Sequence, residues 1–173
     1  MSTLSAFTAR VSRELNRGTA YNSQIPDKIR DAVRALERNY SYQYMQRFVD
    51  VTLPSGERSL AIPARFKSIS FIRFENENEL EPDVGYSYLT RTNARQVKAK
   101  LVGNPTGYWL DGRQWIWFDN QPDADLALEM QYIEYSAWPA VGDTNYELFE
   151  HFLLDIAEDV LLAAAMVEIA ATI

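Results

Sequence analysis

The chain has 173 residues, with 47% hydrophobic and 24% charged side chains, no cysteine and one histidine. That length and balance suit a single globular domain with a sizeable core and exclude a disordered chain. The absence of cysteine excludes disulfides, Cys-based zinc sites and thiol catalysis, and the single His151 excludes a multi-histidine metal centre.

Seventeen basic residues face 24 acidic ones, a net charge of −7, which argues against a chain built mainly to grip nucleic acid. The average hides a gradient. Residues 1–48 carry a net +4, residues 49–113 a net +1, and residues 114–173 hold 12 acids and no Lys or Arg. A basic N-terminal part that meets an acidic C-terminal part, within one chain or between copies, is one reading. A solvated acidic surface is the other. No signal-peptide core opens the chain, and Val160 to Val167, the longest apolar run, is far short of the roughly 20 residues that span a bilayer.

Leu4, Phe7, Val11 and Leu15 recur at steps of three and four, which predicts a helix over 3–16 with Ser2 or Thr3 as cap and Gly18 as stop. Ser23 and Pro26 then open a second helix, with Ile25, Ile29, Val33, Leu36 and Tyr40 as its apolar stripe, to about residue 42. Phe48 to Leu53 reads as a strand, Pro54-Ser55-Gly56 as a turn, and Ser59 to Ile62 as the return strand. Phe66 to Phe74, rich in Ile and Phe, predicts another strand. Glu75 to Gly85 reads as a loop, and Thr92 or Asn93 starts a short helix to Lys100. Tyr108 to Leu110, Asp111-Gly112 and Trp115 to Phe118 predict a hairpin, and Leu126 to Tyr135 the last long strand. Thr144 to Glu147 matches a capping box, followed by one long helix whose apolar face runs from Phe149 to Val167. The order of elements gives an α+β fold. It comprises a helical module from both chain ends, 1–45 plus 143–173, and a mostly antiparallel β-rich insertion, 46–142, in one domain.

Signals for catalysis are weak. There is no Gly-x-Ser-x-Gly and no Gly-rich phosphate loop, and the only histidine lies between Glu150 and Phe152, where an ordinary helix-surface or interface residue is expected. We therefore assign no catalytic, cofactor-binding or metal-ligating residue. Glu75, Glu77, Glu79, Glu81 and Asp83 alternate along one segment, but without the glycine of a calcium loop. They read as a solvated acidic loop or as an acidic channel wall. Arg30, Arg34 and Arg38 form an i, i+4, i+8 ridge suited to a solvated face, to docking on an acidic surface or, as a weaker option in so acidic a chain, to DNA. Val160, Leu161, Leu162 and Met166 belong to a run that is apolar all round its helix. Such a run is either internal or in contact with another chain.

The chain resembles the head–tail connector adaptor proteins of tailed bacteriophages. The resemblance rests on the Leu4-to-Asn16 helix and on a second helix that ends in aromatic residues before the first strand. It also rests on Leu60-Ala61-Ile62-Pro63-Ala64-Arg65-Phe66, Gly103-Asn104-Pro105-Thr106-Gly107-Tyr108-Trp109-Leu110, the Leu126–Tyr132 strand after Pro122, and Asp143-Thr144-Asn145. Asn120 stands where the family has the first proline of its Pro-x-Pro turn. The resemblance implies a structural virion protein without enzymatic activity or cofactor. It would form a ring, commonly of twelve copies, that joins portal protein to tail or stopper protein and lets DNA pass without specific binding. The implied location is the virion neck, after synthesis in the host cytoplasm, with no membrane partner. Two rival readings are a small tail-associated carboxylate hydrolase and a tail-side completion protein.

Overall fold

A computed structural model describes residues 3–15, 23–75, 85–93, 101–112, 114–139 and 151–171. The chain divides into two compact units, Met1–Tyr44 with Ser136–Ile173, and Met45–Tyr135. The fold class is α+β, with helices from both chain ends and an inserted, mostly antiparallel β unit.

In the helical unit, α1 (Leu4–Leu15) buries the predicted Leu4, Phe7 and Val11. Thr3 supplies its cap, the hydroxyl accepting from the Ala6 amide at 3.3 Å. The second helix, α2 (Ile25–Asn39), has Pro26 in its first turn but no side-chain cap; Gln24, not Ser23, occupies the cap position. It ends three residues earlier than expected, because Tyr40 turns extended (φ −125°, ψ 155°). Tyr40 is consequently exposed, while Tyr42 and Tyr44 stack at 5.5 Å and pack against the helical core.

The expected single C-terminal helix is two helices among the described residues, α3 (Phe152–Ile156) and α4 (Glu158–Ala170). Ala157 leaves helical geometry (φ −123°, ψ 34°). Glu158 and Asp159 then fall in a new first turn, where their charge suits the helix dipole. Arg10 of α1 clamps both, at 2.8 and 2.7 Å. Leu153, Leu154, Leu161, Ala165 and Ile169 close the core against α1 and α2. The capping box at 144–147 and Phe149 lie outside the described residues, as does the helix expected after Asn93.

In the β unit, β1 (Gln46–Leu53), β2 (Ser59–Ala61), β3 (Phe66–Glu75), β4 (Tyr86–Tyr88) and β5 (Thr90–Arg91) precede β6 (Leu101–Val102) and β7 (Gly107–Asp111). Then come β8 (Trp115–Phe118), β9 (Asn120–Gln121) and β10 (Leu126–Glu134). Two four-stranded sheets, ordered β1-β10-β3-β4 and β2-β8-β7-β5, share one apolar core that includes Leu53, Ile72, Leu128, Tyr108, Ile116 and Phe118. A two-stranded pair, β6 and β9, completes the unit.

The β7–β8 hairpin forms as expected, with Gly112 at φ 61°, where a side chain would be strained. The expected β1–β2 hairpin does not form: β1 pairs with β10 over eight residues, and β2 pairs with β8. Pro54-Ser55-Gly56 is instead a corner between the two sheets. The Ser55 amide donates to Asp125 at 2.9 Å, and the Gly56 amide to the Pro122 carbonyl at 2.9 Å. Partners distant in sequence therefore hold the turn and decide where the chain goes next.

Candidate functional site

The helical unit encloses one polar cluster. Glu37 follows Ile29 and Val33 at steps of four, so its position on α2 is a core position, and the residue is only 1% exposed. A buried carboxylate is costly unless it is hydrogen-bonded. Two side chains and a backbone amide meet that need. Tyr44 donates to Oε1 at 2.9 Å, the Ser136 hydroxyl donates to the same oxygen, and the Ser136 amide donates to Oε2 at 3.2 Å. His151 Nε2 lies 3.6 Å from Oε1 and 2.8 Å from the Ser136 hydroxyl. Burial pushes the Glu37 carboxyl upward, but the adjacent His151 ring and the hydrogen bonds from Ser136 and Tyr44 outweigh it and hold the group below its ordinary value. Burial first, then the adjacent Glu37 charge, raises the Tyr44 phenol far above its ordinary range.

Of the two places expected for His151, helix surface or interface, the structure excludes the exposed helix surface. Its side chain is buried and caps α3, Nδ1 accepting from the Leu153 amide at 3.1 Å. Nδ1 as acceptor leaves the proton of the neutral ring on Nε2, which donates to Ser136; Ser136 in turn donates to Glu37. Nucleophile activation needs the opposite arrangement, a serine that donates to histidine and an acid on the far ring nitrogen. Ser, His and Glu meet here as a structural relay that ties α2, the chain leaving the β unit and the cap of α3. Sequence reading missed it. The available signal was a glutamate in register with the Ile29–Val33 stripe.

A second buried carboxylate, Glu134, sits at the end of β10 between Arg47 (3.0 Å) and Arg65 (3.5 Å). Asp119 accepts from the Thr106 hydroxyl (2.6 Å) and from the Thr106 and Asn120 amides. Burial raises the Asp119 carboxyl, yet these bonds and that of the Gly107 backbone hold it below its ordinary value. Both acids brace the β unit.

The sequence-derived contact residues fall into separate places. Arg30 is half-buried and paired with Asp27 (3.0 Å) and Asp31 (3.7 Å) on its own helix. Arg34 and Arg38 are exposed, and neither has an ion pair among the described residues. Leu161 is fully buried in the helical core and faces inward, while Leu162 and Met166 pack against that core partly exposed. Val160 and Val167 are the bare positions, 56% and 67% exposed. Glu75 ends β3 as an exposed residue, and Glu77, Glu79, Glu81 and Asp83 lie outside the described residues. Among the described residues no three acids or histidines cluster as metal ligands. Among the described residues no helix is long and apolar enough to cross a membrane.

Among the described residues the buried acids are tied into the frame, while Arg34, Arg38, Val160 and Val167 face outward. The chain belongs to the SU10 adaptor protein family, whose sequence pattern matches residues 2–172. Its role is structural, that of a phage head–tail connector. No curated protein matches it. A solved structure, the neck of an empty GTA particle computed with C6 symmetry, is 15% identical. That match covers 92% of this chain and 75% of that chain, with a TM-score of 0.28.

Proposed function

We propose that this chain is the repeating subunit of a closed ring in the virion neck, commonly of twelve copies, joining portal protein to tail or stopper protein. The observation that carries the reading is the family match over residues 2–172. A ring needs two different, complementary patches on each subunit. The net +4 of residues 1–48 and the 12 acids of residues 114–173 supply such a pair, with exposed Arg34 and Arg38 on one side. Exposed Val160 and Val167, flanked by Leu162 and Met166, supply apolar contact area. Charge steers such a contact and burial of apolar surface supplies most of its affinity. The net charge of −7 suits a passage that does not hold DNA in transit. The subunit works without catalysis; the hydrogen-bond chain from His151 to Ser136 to Glu37 supports this, since it leaves Ser136 unactivated as a nucleophile.

Electron microscopy of the chain bound to its portal tests the reading. A closed ring coaxial with the portal is expected. A single off-axis copy, or no binding, overturns it.

A further inference from the structure

The sheet β1-β10-β3-β4 carries an aromatic ladder on the face turned away from its core. Phe48 of β1 meets Phe71 of β3 across β10, ring centroids 6.4 Å apart, and Phe71 meets Tyr88 of β4 at 5.7 Å. Arg73 fills the space between, its guanidinium 3.8 Å from the Tyr86 ring, hydrogen-bonded to the Tyr88 hydroxyl (3.0 Å) and to Glu129 (2.6 Å). Its charge is met within the sheet, so the face is aromatic rather than cationic. The ladder runs from one sheet edge to the other and ends bare at both, Phe48 at 72% and Tyr88 at 58% exposure.

Both edges share a second property. β1 pairs with β10 over eight residues without a register shift, contains no proline, and has no strand on its other side among the described residues. β4 is likewise a terminal strand of the sheet. Natural edge strands are usually blunted by very short length, proline, bulges or inward charge, because an open edge templates further pairing; β1 has eight residues to offer, and β4, with three, limits the contact to the span of Tyr86–Tyr88. All three pairings in the sheet are antiparallel, so a β1 placed outside β4 would continue the alternation of direction.

We infer that β1 of one copy pairs antiparallel with β4 of the next, the ladder continuing as Phe48 of one copy beside Tyr88 or Tyr86 of its neighbour. The occupant is a second copy of this chain because its own opposite edge supplies the matching strand direction and the matching aromatic face. Two different edges make the contact head-to-tail, the type that closes into rings. The inference rests on the ring reading and adds the surface that joins the copies.

The absence of cysteine makes the test clean. Phe48→Cys/Tyr88→Cys and Phe48→Cys/Tyr86→Cys sample two pairing registers at exposed positions. Within one copy, β1 and β4 are three strand spacings apart, about 14 Å, twice the roughly 7 Å that a disulfide spans between Cα atoms. Any bridge is therefore between copies. Portal-bound rings of one double variant, oxidised and run without reductant, should give a ladder of covalent oligomers absent from the Phe48→Cys, Tyr88→Cys and Tyr86→Cys single variants. Loss of ring assembly at an unchanged melting temperature also supports the edge contact. Rings that form normally yet remain monomeric on the gel in both double variants overturn it and leave the ring reading standing. Dimers from Phe48→Cys alone overturn it in favour of a symmetric β1–β1 contact. If the unmodified chain forms no ring, the ring reading and this inference fall together.

Discussion

The helical and β units are stabilised differently. The helical core is assembled from side chains on short helices, Phe7 among them, and its fully buried acid among the described residues, Glu37, is held by Ser136 and Tyr44 beside His151, from three other segments. In the β unit the buried acid among the described residues, Glu134, sits at the end of β10 beside two arginines. A polar hub inside a small helical core fixes which segments meet, because a misplaced partner leaves a buried carboxylate unpaired. An apolar core between two sheets fixes the same thing through ladder pairing and shape.

The largest expected effects come from the two cores. Phe118→Ala should cost about 3–5 kcal/mol and Leu161→Ala about 2–5 kcal/mol, read by chemical denaturation. If the units unfold independently, each substitution will shift only the transition of its own unit; equal shifts of both would break the comparison.

Next comes the hub. Glu37→Ala strands the donors of Ser136 and Tyr44 and should cost about 1–3 kcal/mol. Arg34→Glu, at an exposed unpaired site on the same helix, should stay within about 0.5 kcal/mol. Equal costs would show that the hub is no more than surface.

A smaller effect is its acid dependence. A carboxyl held below its ordinary value in the fold contributes stability that is present above that value and is lost as pH falls through the depressed one. Glu37 should therefore weaken the fold as pH drops below 4.5, and Asp119 as it drops below 3.8. In Glu37→Gln the first of these losses should vanish while the Asp119 loss remains, as measured by melting temperature against pH. An unchanged acid profile in Glu37→Gln would remove Glu37 from the account.

The smallest effect on folding is expected from reversing Arg34 and Arg38 together. Exposed charges are worth about 0–1 kcal/mol, so the melting temperature should barely move while ring assembly on the portal falls. Normal assembly would take the ridge out of the interface.

Local physics made much of the chain legible in advance. Helix α1, the apolar stripe of α2, the β7–β8 hairpin and the long strands β1, β3 and β10 follow from periodicity, caps and turn residues, which act within a few positions. The order of those elements also carried the α+β class and the adaptor resemblance. Long-range packing decided the rest. The pairing of β1 with β10 rather than β2 depends on residues more than seventy positions apart. The burial of Leu161 beside bare Val160 depends on where α4 meets α1 and α2, since a run apolar on every side does not specify which side faces in. Ser136 and His151 are unremarkable where each stands in the sequence, and Glu37 is marked there only by its register with the Ile29–Val33 stripe. They form one hub only because the chain leaves the helical unit, builds the sheets and returns, and a buried carboxylate must then be satisfied by whatever the return brings within hydrogen-bond reach.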